Sequence, residues 1–179
     1  HFVDQSNRHL PEAQKKLGLQ VNNVNICTEI TLPNNEERTA VCCLGSVNLL
    51  HYDAWKHDPQ FIPDVVEFLD NVLEYYIQNA IYSCTRDLNR DPIAQTIREH
   101  IPAIDDALLE KLVHALITNH IMAVKKSVFS AKRERAIGIG AMGFGSYLLE
   151  HEIAYDDRKA LGLIDTMIGH VKREATKAS

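Results

Sequence analysis

The chain has 179 residues, 45% of them hydrophobic and 24% charged, which is long enough to bury a core and too mixed in composition to stay disordered. Lys+Arg 19 against Asp+Glu 24 leave a net charge of −5 with no basic block, which gives a dedicated nucleic-acid or anionic-membrane binder little support and leaves mononucleotides as possible ligands. No apolar run approaches the roughly 18 to 20 residues of a membrane span, and His1-Phe2-Val3-Asp4 lacks a signal-peptide layout; the expectation is a soluble, cytoplasmic protein.

The absence of an initiator Met and a final Lys177-Ala178-Ser179 still in helical pattern suggest a piece of a longer polypeptide, read as a single partial domain over 1–179. Residues 1–20 are polar, with a short helix expected over 11–17 and closed by Gly18. The β-branched content of 24–31 predicts a strand or extended loop, ended by the turn chemistry of Leu32-Pro33-Asn34-Asn35. A second strand or buried loop follows over 39–50, TAVCCLGSVNLL.

From Pro63 the period is helical, with Val65, Val66, Leu69, Val72, Leu73, Tyr76 and Ile77 on one stripe over about 63–79. Asp91-Pro92 and Ile101-Pro102 bracket a short helix over 92–99. Leu108 to Val124 keep i, i+3, i+4 spacing from about 105 to 126, with Asp105-Asp106 at the favourable end. A basic connector, Lys125 to Arg135, leads to a short buried strand at 136–142 and a helix over 143–150. Asp156-Asp157 start a last helix carrying Leu161, Ile164, Ile168 and Val171. The fold class is α/β with more helix than strand.

The most informative stretch is Asn25-Ile26-Cys27-Thr28-Glu29-Ile30. In an extended backbone, residues i, i+2 and i+4 share a face about 6 to 7 Å apart, so Asn25, Cys27 and Glu29 would project together. An amide can donate and accept, a carboxylate can take a hydroxyl proton, and a thiol can act as nucleophile or hydrogen-atom acceptor. The plain alternative is a solvated face with one semi-buried Cys.

Cys27, Cys42, Cys43 and Cys84 are too sparse for a disulfide scaffold, and the adjacent Cys42-Cys43 pair would be strained as a bridge. Alternation points those two to opposite faces, so one could share a pocket with Cys27; both could equally be small buried hydrophobes. No metal site is expected, because no C-x-x-C or H-x-x-x-H spacing occurs among the His and Cys residues. Gly138, Gly140 and Gly143 spell G-I-G-A-M-G, formally a dinucleotide-binding element. No acidic residue caps a second strand about 20 residues on, and tight packing at a strand-to-helix turn explains the glycines better.

VNICTEI, TAVCCLGSVNL, Tyr52-Asp53-x-Trp55, FLDNVL and RERAIGIGAMGF, in that order, resemble the large (alpha, catalytic) subunit of ribonucleotide reductase, as does the Asp4-x-x-Asn7-Arg8 opening. The resemblance implies a helix-rich fragment of the family's ten-stranded α/β barrel, carrying the active-site loop. It places Cys27 at the transient thiyl radical that abstracts the 3′ hydrogen of a ribonucleotide, Glu29 at the carboxylate that takes the 3′-hydroxyl proton, and Asn25 at an amide that hydrogen-bonds substrate hydroxyls. Aligning Leu44 and Asn48-Leu49 places Cys42, not Cys43, at one of the two thiols that reduce the 2′ carbon; its partner in the family lies well upstream, and no cysteine precedes Cys27 in this sequence.

The resemblance further implies reduction of ribonucleoside diphosphates, the remainder of the large subunit as a partner, and a homodimer of that subunit. The chain itself would bind no cofactor. The radical would come from a diiron or dimetal small subunit, which the fuller resemblance favours over adenosylcobalamin. The electrons would come from a dithiol such as thioredoxin or glutaredoxin. Residues 81–120 exceed the family's connector and read as a helical insertion. Two rivals remain: a non-catalytic helical interaction module and a nucleotide-binding regulator built on GIGAMG.

Overall fold

A computed structural model describes residues 3–25, 28–87 and 90–179. In chain order its elements are α1 (Val3–Arg8), α2 (Glu12–Lys16), β1 (Cys42–Asn48), a 3-10 turn (Leu49–His51), α3 (Tyr52–Trp55), α4 (Phe61–Asp87), α5 (Arg90–His100), α6 (Asp106–Glu134), β2 (Ala136–Met142), α7 (Phe144–Glu150) and α8 (Arg158–Ala178). The chain groups into two compact units interleaved in sequence, one of His1–Val41 with Tyr75–Arg135, the other of Cys42–Glu74 with Ala136–Ser179.

The second unit is built on a parallel pair, β1 beside β2, with Cys42 opposite Ala136 and Asn48 opposite Met142. Parallel neighbours need a long crossover, and the intervening helices supply it. The glycines of β2 make the pair possible. A Cβ on Gly138 would lie 2.6 Å from Leu44 Cδ2, and one on Gly140 would lie 3.1 Å from Ser46 Oγ, and Leu44 and Ser46 are their register partners on β1. At the exit Gly143 adopts φ 77 and starts α7; a Cβ there would collide with Asn48 Oδ1. That oxygen already accepts the Leu50 N–H at 3.1 Å and opens the 3-10 turn. The dinucleotide-like spelling is therefore accounted for by packing within the chain.

Below the sheet, Val47, Leu49, Tyr52, Trp55, Ile62, Tyr147, Met167 and Val171 form a buried cluster. Trp55 stacks on Phe61 with ring centroids 4.8 Å apart and donates its Nε1–H to the Asn48 carbonyl at 3.2 Å, so the indole buries its apolar area without orphaning its donor. β2 is half-buried over Ala136–Ile139 and exposed beyond, not the buried strand expected, because β1 is its only strand partner among the described residues.

In the first unit, α5 and α6 share a satellite core of Ile104, Leu109 and Val113 with Ile93, Ala94, Ile97 and Ile117 around it. Asp105 caps α6 by accepting the Leu108 N–H at 2.9 Å, as its sequence position suggested. Three helices overrun their expected ends or starts: α4 continues to Asp87, α5 occupies 90–100, and α6 absorbs the basic connector up to Glu134. No Gly or Pro interrupts 125–134, and Ser127, Val128, Ser130 and Ala131 are buried on one side, so the charged residues are only the solvated face of a continuing helix.

Between Lys111 and Lys125 that helix carries no Asp, Glu, Lys or Arg. By length and composition it is the one helix among the described residues that could cross a membrane, contrary to the sequence reading. His114, Asn119 and His120 break the apolar run, while its average stays high enough to span.

Candidate active-site loop

Among its described residues the loop from 20 to 40 has no regular ladder, and no strand forms over 24–31. It is held instead by asparagine side chains, each of which offers a donor and an acceptor in the geometry of a backbone amide. Asn7, from α1, donates to the Val21 carbonyl at 3.0 Å and accepts the Val21 N–H at 2.8 Å. Asn34 does the same to Asn23, accepting its N–H at 3.0 Å and donating to its carbonyl at 2.7 Å. Asn35 Oδ1 accepts the N–H groups of Glu37 and Arg38, and the Asn35 N–H donates back to the Arg38 carbonyl at 3.1 Å.

Asn25 works in the same way further along. Its Oδ1 accepts the Ile30 N–H at 2.9 Å, and its carbonyl accepts the Thr28 N–H at 3.0 Å. Thr28 has φ 62, a left-handed conformation that breaks the alternation of an extended strand. Extended alternation therefore does not run through Thr28 into Glu29. Asn25 is half-buried and Glu29 exposed; Cys27 lies outside the described residues.

The loop walls a recess of about 360 Å³, bounded by Asn23, Asn25, Ile30, Asn34 and Arg38 among others. Arg38, one of its lining residues, is clamped at 2.7 Å to Glu134, the last residue of α6. The guanidinium carbon of Arg38 also sits 5.6 Å from the Phe129 ring centroid. Sequence reasoning missed Arg38 and Glu134, which are 96 positions apart. The Asn22-Asn23 and Asn34-Asn35 doublets were the available signal for the asparagine scaffold.

Cys42 and Cys43 belong to the other unit and open β1 as half-buried thiols. Burial pushes the Cys43 thiol above its ordinary value, and the negative charge of Asp70 adds to that. Such a thiol carries less thiolate and exchanges poorly with disulfides. Cys84 is half-buried on α4. No group of three or more His, Cys, Asp or Glu able to hold a metal occurs among the described residues.

One further polar cluster went unread in the sequence. Asp53 accepts the Tyr147 hydroxyl at 3.0 Å and Lys56 Nζ at 2.6 Å, and His151 Nε2 approaches it at 3.4 Å while its ring stacks on Tyr147 at 4.0 Å. The Lys56 hydrogen bond is the main cause that holds the Asp53 carboxyl below its ordinary value. The cluster ties α3 to α7.

Against known proteins, residues 1–179 match the family model described as ribonucleotide reductase, barrel domain. The chain belongs to that family. As a ribonucleotide reductase segment it is 40% identical over 148 residues to the ribonucleoside-diphosphate reductase large subunit of Invertebrate iridescent virus 3, covering 83% of this chain and 17% of that protein. It is 34% identical over 179 residues to a putative large subunit of Frog virus 3 (isolate Goorha), covering 100% of this chain and 25% of the relative. The alpha subunit of an Actinobacillus ureae class Id ribonucleotide reductase superposes with TM-score 0.71 at 27% identity, covering 99% of this chain and 27% of that one. The chain thus spans a quarter or less of the length of these curated relatives. The fold is a helix-rich portion of the ribonucleotide reductase barrel domain.

Proposed function

We propose that this segment carries the substrate-reducing residues of a class I ribonucleoside-diphosphate reductase. The observation that carries the reading is the family match over residues 1–179, with Asn25-x-Cys27-x-Glu29 upstream of Cys42. A radical delivered to Cys27 makes a thiyl that takes the 3′ hydrogen of the ribonucleotide. Glu29 accepts the 3′-hydroxyl proton, and the 2′ hydroxyl, protonated by a thiol of the reducing pair, leaves as water. Asn25 Oδ1 is engaged by Ile30, which fixes the amide and leaves its NH2 to donate to substrate hydroxyls.

Cys42, with a second thiol from outside residues 1–179, supplies two electrons and ends as a disulfide, which a dithiol such as thioredoxin or glutaredoxin reduces. The radical originates in a diiron or dimetal small subunit, the large subunit pairs with a second copy, and the enzyme works in the reducing cytoplasm. Residues 81–120 are a helical insertion. The glycines of β2 are filled by the chain's own side chains, which speaks against the nucleotide-binding regulator.

The test is deoxyribonucleotide formation by the complete large subunit with its radical source. Cys27→Ser is expected to bind ribonucleotide and form no product, and Glu29→Gln to slow turnover by about a hundredfold or more. Normal turnover by Cys27→Ser would overturn the reading.

A further inference from the structure

We infer that Glu134 is a positioning residue for the active-site loop, acting through Arg38; this rests on the reading of residues 25–29 as the reductase site. Glu134 occupies a place that helix physics disfavours. Its side chain is 8% exposed, it is the last residue of α6, where the helix dipole is negative, and its Oε2 is buried without a hydrogen-bond partner among the described residues. One turn earlier Ser130, 1% exposed, has an Oγ in the same condition. A carboxylate in that setting is held by an ion pair, the 2.7 Å contact with Arg38.

Arg38 is placed with equal care. Its side chain is 15% exposed, its N–H is accepted by Asn35 Oδ1 and its carbonyl accepts the Asn35 N–H. Asn34, next in the chain, brackets Asn23 from both sides, and its N–H donates to the Gln20 carbonyl at 3.0 Å. Asn23 is two residues from Asn25, whose Oδ1 fixes Ile30 beside Glu29. Hydrogen bonds, joined through the backbone at Asn34-Asn35 and from Asn23 to Asn25, therefore lead from the end of α6 to Asn25 and Ile30, and Arg38 and Asn25 bound the same recess. A rigid helix end is a better reference than a loop for a site whose groups must be placed to a fraction of an ångström.

The experiment uses the complete large subunit with its radical source and dithiol reductant. It compares wild type, Glu134→Gln, the charge reversal Arg38→Glu/Glu134→Arg, and the apolar pair Arg38→Met/Glu134→Leu. Thermal midpoint, kcat, KM and exchange protection of the Ile30 amide are read for each. Glu134→Gln is expected to lower kcat about tenfold or more with KM within about twofold and to expose the Ile30 amide. The charge reversal is expected to recover part of kcat, and the apolar pair to recover the thermal midpoint without kcat. Unchanged kcat per folded enzyme in Glu134→Gln and the apolar pair, with only the midpoint moved, would make the pair purely structural and overturn the inference. Cys27→Ser run alongside separates the two ideas: inactive Cys27→Ser with fully active Glu134→Gln removes only the positioning role, whereas active Cys27→Ser removes the site.

Discussion

Asn7 holds Val21 as a neighbouring strand would, its amide donating to the Val21 carbonyl at 3.0 Å and accepting the Val21 N–H at 2.8 Å. Val21 is fully buried, so both backbone groups need these partners. Asn7→Ala is expected to destabilise the protein by about 2–3 kcal/mol, the cost of leaving such groups unmatched. Asn7→Asp, which keeps an acceptor and loses the donor, should fall between Ala and wild type. Urea unfolding midpoints decide it; an unshifted midpoint for Asn7→Ala would show that the loop is held by other means.

At the exit of β2 the left-handed backbone of Gly143 and the crowding by Asn48 Oδ1 act together. Gly143→Ala should cost about 1–3 kcal/mol and disturb the cap on Leu50. Gly145, inside α7 with open space around its Cβ position, gives the contrast: Gly145→Ala should be neutral or stabilising by up to about 1 kcal/mol. Thermal melts of the two variants should move in opposite directions.

The Asp53 cluster makes a prediction about pH. Its carboxyl is lowered chiefly by the Lys56 hydrogen bond and further by that of Tyr147. A group lowered in the folded state adds stability above its unfolded value near pH 4, lost as acid takes the pH down through the lower folded value. Tyr147 is raised by burial and by its bond to Asp53, so its contribution is present below its unfolded value near pH 10 and lost as pH rises through the higher folded one. Tyr147→Phe should remove the alkaline loss and shrink the acid one, leaving Lys56 to hold Asp53. Since Asp53 is 46% exposed, both effects should be small and weaken with salt. Stability curves of wild type and Tyr147→Phe from acid to alkaline pH, unaltered at both ends, would contradict the assignment.

Cys42 and Cys43 should separate chemically. With its thiol raised by burial and by Asp70, Cys43 is expected to alkylate slowly at neutral pH and to speed up only in mild alkali. Cys43→Ser should leave turnover intact, while Cys42→Ser should stop the enzyme after the first turnovers. Mass-spectrometric mapping of alkylated positions, with product counted per enzyme, distinguishes the two; equal effects of the serine variants would remove the distinction.

Much of the helical framework was legible in periodicity and in the acidic residues at helix starts: Asp105 and Asp157 stand at the starts of α6 and α8, where each also caps a backbone N–H. The glycines of β2 were legible as packing residues, although their register partners on β1, Leu44 and Ser46, required the pairing. The loop around Asn25 was harder. Alternation is a rule for extended chains, and a single left-handed residue, Thr28, cancels it. The Arg38–Glu134 contact was invisible because it joins positions 96 residues apart, and no periodic pattern registers such a pair. Two units interleaved in sequence leave no composition shift at their borders either.

The central claim is that Cys27 takes the 3′ hydrogen of a ribonucleotide. The most direct measurement is turnover of a ribonucleotide carrying deuterium at the 3′ position, by the complete enzyme and by its Cys27→Ser variant at matched substrate binding. The account predicts slower turnover of the deuterated substrate than of the ordinary one by wild type, and no product from Cys27→Ser with either. Product formation by Cys27→Ser, with the same sensitivity to deuterium, would contradict it.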